Sequence, residues 1–491
     1  MNDSAKSSVG SAVVQRGRLP FVWRALWWRS AATLVLLAVF LGVPWCWGMP
    51  ESAGEEAEGV ARGFRFLTEK AYLPPDFDEE TFAGIWRGWP EPLRSEAASA
   101  SPKRRREMAF ARYGLTPRPA AVAENDSPQP PLQYVVDEDG GWTMTCFSCH
   151  GGRVYGTPYP GAPNTEYALQ TFAEELRATK FRLGKKLTRM EVGSMVLPLG
   201  TTVGRTNAVM FGVGLMHFRN PDLTLHDPPR PPEMVHHDMD APPWWHFHRR
   251  RYLYIDGFAE RGHRGLMQFM LIKENGPEKF HEWEADFRDV YDYLMSLRPP
   301  RYEGPIDIER ARRGKVHFEK SCARCHGTYG DGSEFPGVMV PLEEIGTDPV
   351  RLRSLPVEGR EKYAASWFAQ GTHIEQGVTI VEPAGYVAPP LDGVWASPPY
   401  FHNGSVPTLW HVLNPDQRPT VWRRTAVEID PRHVGFQFEQ AERIPLQERD
   451  PAIRRQYFDT RQVGKSAQGH DFPLELREHE RWEVLEYLKT L

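Results

Sequence analysis

The pentapeptide C-x-x-C-H occurs twice in this 491-residue chain, as Cys146-Phe147-Ser148-Cys149-His150 and Cys322-Ala323-Arg324-Cys325-His326. The two copies use four of its five cysteines. Two thiols three residues apart sit on one helical turn, with an imidazole directly after the second. That set is what attaches a c-type haem: both thiols reach the vinyl groups and the imidazole swings under the iron. The motifs therefore predict two covalently attached c-type haems on Cys146, Cys149, Cys322 and Cys325, with His150 and His326 as proximal iron ligands. The rival readings are a zinc site built from both C-x-x-C pairs, a thioredoxin-like redox pair, and two disulfides. Neither zinc nor a redox pair explains a histidine after each second cysteine.

A chain of this length normally divides into two or three domains, which suggests one haem per domain. The formal net charge of −5 gives no sign of a nucleic-acid partner. From Ser30 to Pro50 there is no charged residue, and a helix of that length rises about 31 Å, enough for a bilayer core. Lys6, Arg16, Arg18, Arg24 and Arg29 precede the segment; Glu51, Glu55, Glu56 and Glu58 follow it; Trp27, Trp28, Trp45 and Trp47 flank it. The pattern reads as a cytoplasmic N-terminus (1–29) and a transmembrane signal anchor (30–50). It implies a single-pass protein of the bacterial inner membrane with its haem domains facing the periplasm. A cleaved signal peptide is the competing account. Cys46 follows Val43-Pro44-Trp45, too bulky for a lipidation box.

Residues 51–134 read as a helical extension with Pro-rich loops. Its basic run Lys103-Arg104-Arg105-Arg106 is a solvated face or a dock for an acidic redox partner. A first haem domain then covers 135–300 and a second 305–491. Each ends on the same pattern, Asp289-Val290-Tyr291-Asp292-Tyr293-Leu294 and Glu483-Val484-Leu485-Glu486-Tyr487-Leu488, an amphipathic helix repeated at the end of duplicated modules. In the second, Asp307 caps a helix with Ile308, Ala311, Gly314 and Phe318 on its inner face. Gly314 in mid-helix costs about 1 kcal/mol relative to Ala, which a close crossing with the Tyr487-Leu488 helix would explain. No comparable helix is visible just before Cys146, where Gly140-Gly141-Trp142 leads in. The expected fold is mainly α: two cytochrome c-like haem domains in tandem with long loops, plus one N-terminal transmembrane helix.

The run Pro389 to Leu409, with Pro399-Tyr400-Phe401-His402-Asn403-Gly404-Ser405-Val406-Pro407-Thr408-Leu409 at its end, resembles the di-haem cytochrome c peroxidase superfamily. Asn403, Trp395-Ala396 and Gly469-His470 make its rubber-oxygenase-like branch the nearest resemblance. Superfamily peroxidases ligate the second haem with a methionine after this run; here the last of 14 methionines is Met339, which excludes that ligation. The resemblance implies His470 as sixth ligand of the second haem, with His373, His402, His411, His433, His479 and Met339 as other candidates. Bis-imidazole ligation would close that haem and leave it electron transfer.

The first haem is then the candidate reactive centre. Arg153 is expected to meet a haem propionate, and Trp244 or Trp245 to line a distal pocket and pass electrons between haems; core packing around the cofactor is the plain alternative. His236, His237, His246 and His248 leave a sixth ligand there open. The expected function is a membrane-anchored di-haem cytochrome transferring electrons to a redox partner protein, with O2 or peroxide reacting at the first haem. The alternative is a plain electron carrier with both haems six-coordinate.

Overall fold

Two helix pairs of the same construction frame the chain. The computed structural model describes residues 51–119, 129–370 and 378–491, and contacts group Glu56–Leu491 as a single unit. In chain order the helices that position the site are α1 (Glu51–Glu69), α2 (Phe147–His150), α3 (Pro277–Ser296), α4 (Ile308–Ser321), α5 (Ala323–His326) and α6 (Glu478–Leu488). Asp307 caps α4 by accepting from the Arg310 amide. Where α4 crosses α6, a Cβ on Gly314 would overlap the Glu483 carbonyl. The helices meet backbone to backbone, and only glycine fits.

The same crossing recurs between α1 and α3. A Cβ on Gly63 would overlap the Asp289 carbonyl, and Asp289 is the repeat partner of Glu483. Arg62 Nε pairs with Asp289 at 2.7 Å and Arg313 Nε with Glu483 at 2.5 Å. The helix not found ahead of Cys146 is therefore α1, set far back in the chain. Phe77, Phe82, Trp89 and Trp142 from the residues between pack with Phe172 into an aromatic core.

The expected mainly α fold is corrected. Strands β1 (Phe77–Asp78), β2 (Tyr134–Val136) and β3 (Gly141–Met144) form an antiparallel sheet in the order β1-β3-β2. β4 (Arg153–Val154) pairs with β5 (Thr157–Pro158), and β6 (Met339–Pro341) with β7 (Gly385–Val387). β8 (Val421–Asp430), β9 (Gly435–Gln440) and β10 (Tyr457–Asp459) form a sheet in the order β10-β8-β9. Thr425, Val427 and Ile429 alternate along β8 in the period of a strand.

The transmembrane helix is corrected too. Residues 30–50 lie outside the described residues, and among those described no helix is long and apolar enough to cross a membrane. A single-pass inner-membrane anchor is not carried forward. In the basic run Lys103 and Arg104 are exposed; Arg104 pairs with Glu96 and Glu107, Arg105 bonds the Ala97 carbonyl, and Arg106 pairs with Glu79.

Two cores enclose the two motifs. One joins Phe147, Phe258, Phe287 and Tyr293 to Tyr363 and Phe368 from beyond residue 350. The other joins Phe318, Trp395, Val406 and Leu488 to Val154, Ala162 and Trp245 from the first half. Each motif thus draws packing from both halves of the sequence.

Gly63→Ala and Gly314→Ala should each cost about 1–3 kcal/mol by forcing the crossing apart, read as a lower urea midpoint. Gly212→Ala, in a helix whose nearest obstacle is Phe269 at 4.0 Å, should instead gain up to about 1 kcal/mol.

Candidate functional site

The imidazoles that close the two motifs are held by matching bonds. His150 Nδ1 lies 3.1 Å from the Pro242 carbonyl oxygen, and His326 Nδ1 lies 2.9 Å from that of Pro389. With Nδ1–H donating to a carbonyl, Nε2 keeps its lone pair and the ring is fixed in orientation. The anchors sit in repeated tripeptides, Ala241-Pro242-Pro243 and Ala388-Pro389-Pro390. The second proline keeps the first in extended backbone.

Three residues beyond each anchor the two segments meet. Trp245 Nε1 donates to the Asp392 carbonyl at 2.8 Å, and His246 Nε2 to the same oxygen at 2.7 Å. Backbone and hydrogen bonds thus run without a break from His150 through Pro242, Trp245, Asp392 and Pro389 to His326.

The four thiols are unpaired: Cys146, Cys149, Cys322 and Cys325 are free, each motif forming one helical turn with its histidine. Burial pushes the Cys146 and Cys149 thiols up to about 11 and Cys322 up to about 12. Cys146 packs on one core and Cys322 on the other. Among the described residues no cluster of three or more His, Cys, Asp or Glu could hold a metal ion.

Burial lowers His150 to about 4 and His470 to about 3, and depresses His326 as well. All three are neutral near pH 7, as an iron ligand must be.

The surroundings of His150 and His326 differ. His326 faces His470, with ring centroids 6.1 Å apart and planes at 63°. A transition metal holds a histidine nitrogen at about 2 Å, so two imidazoles on one iron need centroids about 6 Å apart. His470 stands between Phe401 and Phe472. Its backbone is left-handed, φ +54°, after Gly469 at +78°, and a Cβ on Gly469 would overlap the backbone of Gly346.

The turn at Phe401 to Ser405 holds this loop. The fully buried Asn403 amide donates to the carbonyls of Gly464 and Ser466, and Arg418 to those of Ala467 and Gly469. Trp422 Nε1 donates to the Ser405 carbonyl, and Phe436 N to that of Pro407, so the β8–β9 hairpin clamps the turn.

The other candidates are engaged elsewhere. His411 Nδ1 bonds Thr408 Oγ1, His433 Nδ1 bonds Asp430, His402 packs on Tyr386, and His479 lines a cleft with Arg310 and Trp482. Met339 lies in β6. His373 lies outside the described residues.

At His150 the neighbour is an indole. Trp244 stacks on the ring at 4.6 Å and 21°, and Phe147 packs on Trp244. A ring stacked on an imidazole lies beside it and not beyond its Nε2, so a haem held by His150 would have Trp244 on the imidazole's own side and not in the distal place expected of it. Trp245, 1% exposed and bonded to Asp392, sits in the second motif's core and not over the first. Arg153, expected at a propionate, here pairs with Glu166 and bonds the Leu115 carbonyl.

Of the other histidines, His246 donates through Nε2, His236 pairs with Asp238, and His237 bonds the Val235 carbonyl through Nδ1. Among the described residues none is in ring contact with His150. Sequence reasoning missed Pro242, Pro389, Asp392 and Arg418. For the prolines the repeated Ala-Pro-Pro was the available signal; a carbonyl acceptor such as Asp392 leaves none.

Residues 385–423 match the family model described as RoxA-like, cytochrome c-like. The chain thus carries a cytochrome c-like domain, which implies a c-type haem with its iron as cofactor. The matched stretch contains Pro389, Asp392, Asn403 and Arg418. Two Sinorhizobium fredii proteins are similar. One, "Uncharacterized protein y4iM", is 31% identical over 204 residues, covering 37% of this chain and 45% of that protein. The other, "Uncharacterized protein y4iJ", is 30% identical over 261 residues, covering 40% and 42%. The chain spans less than half the length of each.

Asn403→Leu should strand two buried carbonyls, each costing about 1–3 kcal/mol. Urea unfolding of the purified protein should show the loss, with Asn403→Asp less damaged than Leu in folded yield because it keeps the acceptor for the Ser405 amide.

Proposed function

We propose that the chain is a di-haem c-type cytochrome whose two irons have different tasks. The unequal partners of the two proximal histidines carry this reading: an imidazole faces His326, and a tryptophan stacks beside His150. Haem supplies one-electron redox chemistry at its iron and, where the sixth position is open, a place for O2 or peroxide. Cys322 and Cys325 would attach one haem, with His326 and His470 as its axial ligands; this site exchanges electrons with a redox partner protein. Cys146 and Cys149 would attach the other, with His150 as its single imidazole and an oxidoreductase of peroxidase or oxygenase type as its activity.

The residues between the two support transfer over the gap. Trp244 lies against His150, while Trp245 bonds the loop whose Pro389 holds His326. Trp245 is fully buried and Trp244 half-buried, and both follow directly on the Pro242-Pro243 segment. Their role is to conduct between the irons and orient the proximal rings.

Pyridine haemochrome analysis should give two haems per chain that acid-acetone does not extract. The ferric EPR spectrum should show one low-spin and one high-spin centre, with CO or cyanide binding at one iron only. His470→Gly should convert the low-spin centre to high spin. Two low-spin haems that ignore CO, cyanide and peroxide would favour the plain electron carrier and defeat the catalytic reading.

A further inference from the structure

Arg249, Arg250 and Arg251 follow the Trp244-Trp245-His246 turn that anchors His150. Arg249 pairs with Asp392 at 3.1 Å and lies over Tyr329. Arg251 lies over Tyr252. Arg250 is different: its amide caps the turn on the His246 carbonyl, but among the described residues its guanidinium has no hydrogen-bond or ion-pair partner. Its nearest acidic influence is Asp256, already taken by two fully buried arginines, Arg351 at 3.0 Å and Arg360 at 2.6 Å.

The Arg250 side chain is partly buried, and burial pulls it down to about 10. Its charge is felt at His150, where it acts with burial to disfavour the imidazolium. A partly buried guanidinium without an anion is costly, and its fork geometry suits a carboxylate. Next to a haem-attachment motif, the carboxylates brought by the cofactor itself are the chemical match.

We propose that Arg250 binds a propionate of the first haem, in the place sequence reasoning gave to Arg153. This rests on the reading that Cys146 and Cys149 carry a haem. Paired there, Arg250 offsets the propionate charge, which otherwise stabilises the ferric state, so that removing the arginine lowers the first haem's midpoint potential. It also ties the cofactor to the same turn that holds the proximal imidazole.

The test compares wild type, Arg250→Gln, Arg250→Lys and Arg153→Gln as full-length proteins. Readouts are haem content, spectroelectrochemical midpoint potentials and the resonance Raman propionate bending band, which reports hydrogen bonding to that carboxylate. Arg250→Gln should keep two haems, shift the propionate band of one and lower one potential. Arg250→Lys should restore most of the potential but not the band, and Arg153→Gln should move neither. An unmoved propionate band in both Arg250 variants overturns the proposal, whatever the potential does. A wild-type protein with one haem would instead strike the underlying first-haem reading. Should the Gln variant fail to fold, the Lys variant decides by its band alone.

Discussion

Each proximal imidazole depends on one hydrogen bond from Nδ1 to a proline carbonyl, and the two prolines are joined through the indole of Trp245. That tie fixes the direction in which each Nε2 points and the separation of the two motifs at once. Turning either ring requires breaking its carbonyl bond. It also explains why each core borrows side chains from the other half of the chain. Two independently folding haem modules would have no need for Trp245 in the second core or Tyr363 in the first.

The duplication is deeper than its sequence trace. The repeat at Asp289 and Glu483 and the need for a close partner at Gly314 were both legible, since an acid-Val-x-acid-Tyr-Leu pattern and a mid-helix glycine each have a local physical cause. The first copy of the crossing was not found. Its helix lies 77 residues before Cys146 by the end of α1 at Glu69, too far for a search just ahead of the motif. Ala61-Arg62-Gly63 against Arg312-Arg313-Gly314 was the signal. The strands were missed because most are two to four residues long and take their partners from distant loops, as β1 does from β3; periodicity has no room to show in so few residues.

Site residues divided in the same way. The cysteines and the histidines after them stand out in the sequence because haem-attachment chemistry fixes their spacing. The His470 assignment followed from Gly469 and a resemblance, and the surroundings of the loop give it a mechanical basis: Asn403 and Arg418 hold four of its carbonyls. Trp244, Trp245 and Arg153 were placed by proximity in sequence, which does not say on which side of a plane a ring lies or which carboxylate a guanidinium meets first. Glu166, 13 residues on, took Arg153.

The central claim is that the two irons sit in unlike places, one between two imidazoles and one beside a stacked indole. Diffraction data from the purified protein, collected at the iron absorption edge, test it most directly. The account predicts two anomalous peaks per chain: one between the His326 and His470 Nε2 atoms, and one on His150 Nε2 with no histidine on its far side. A single peak, or a second imidazole on the iron at His150, would contradict it.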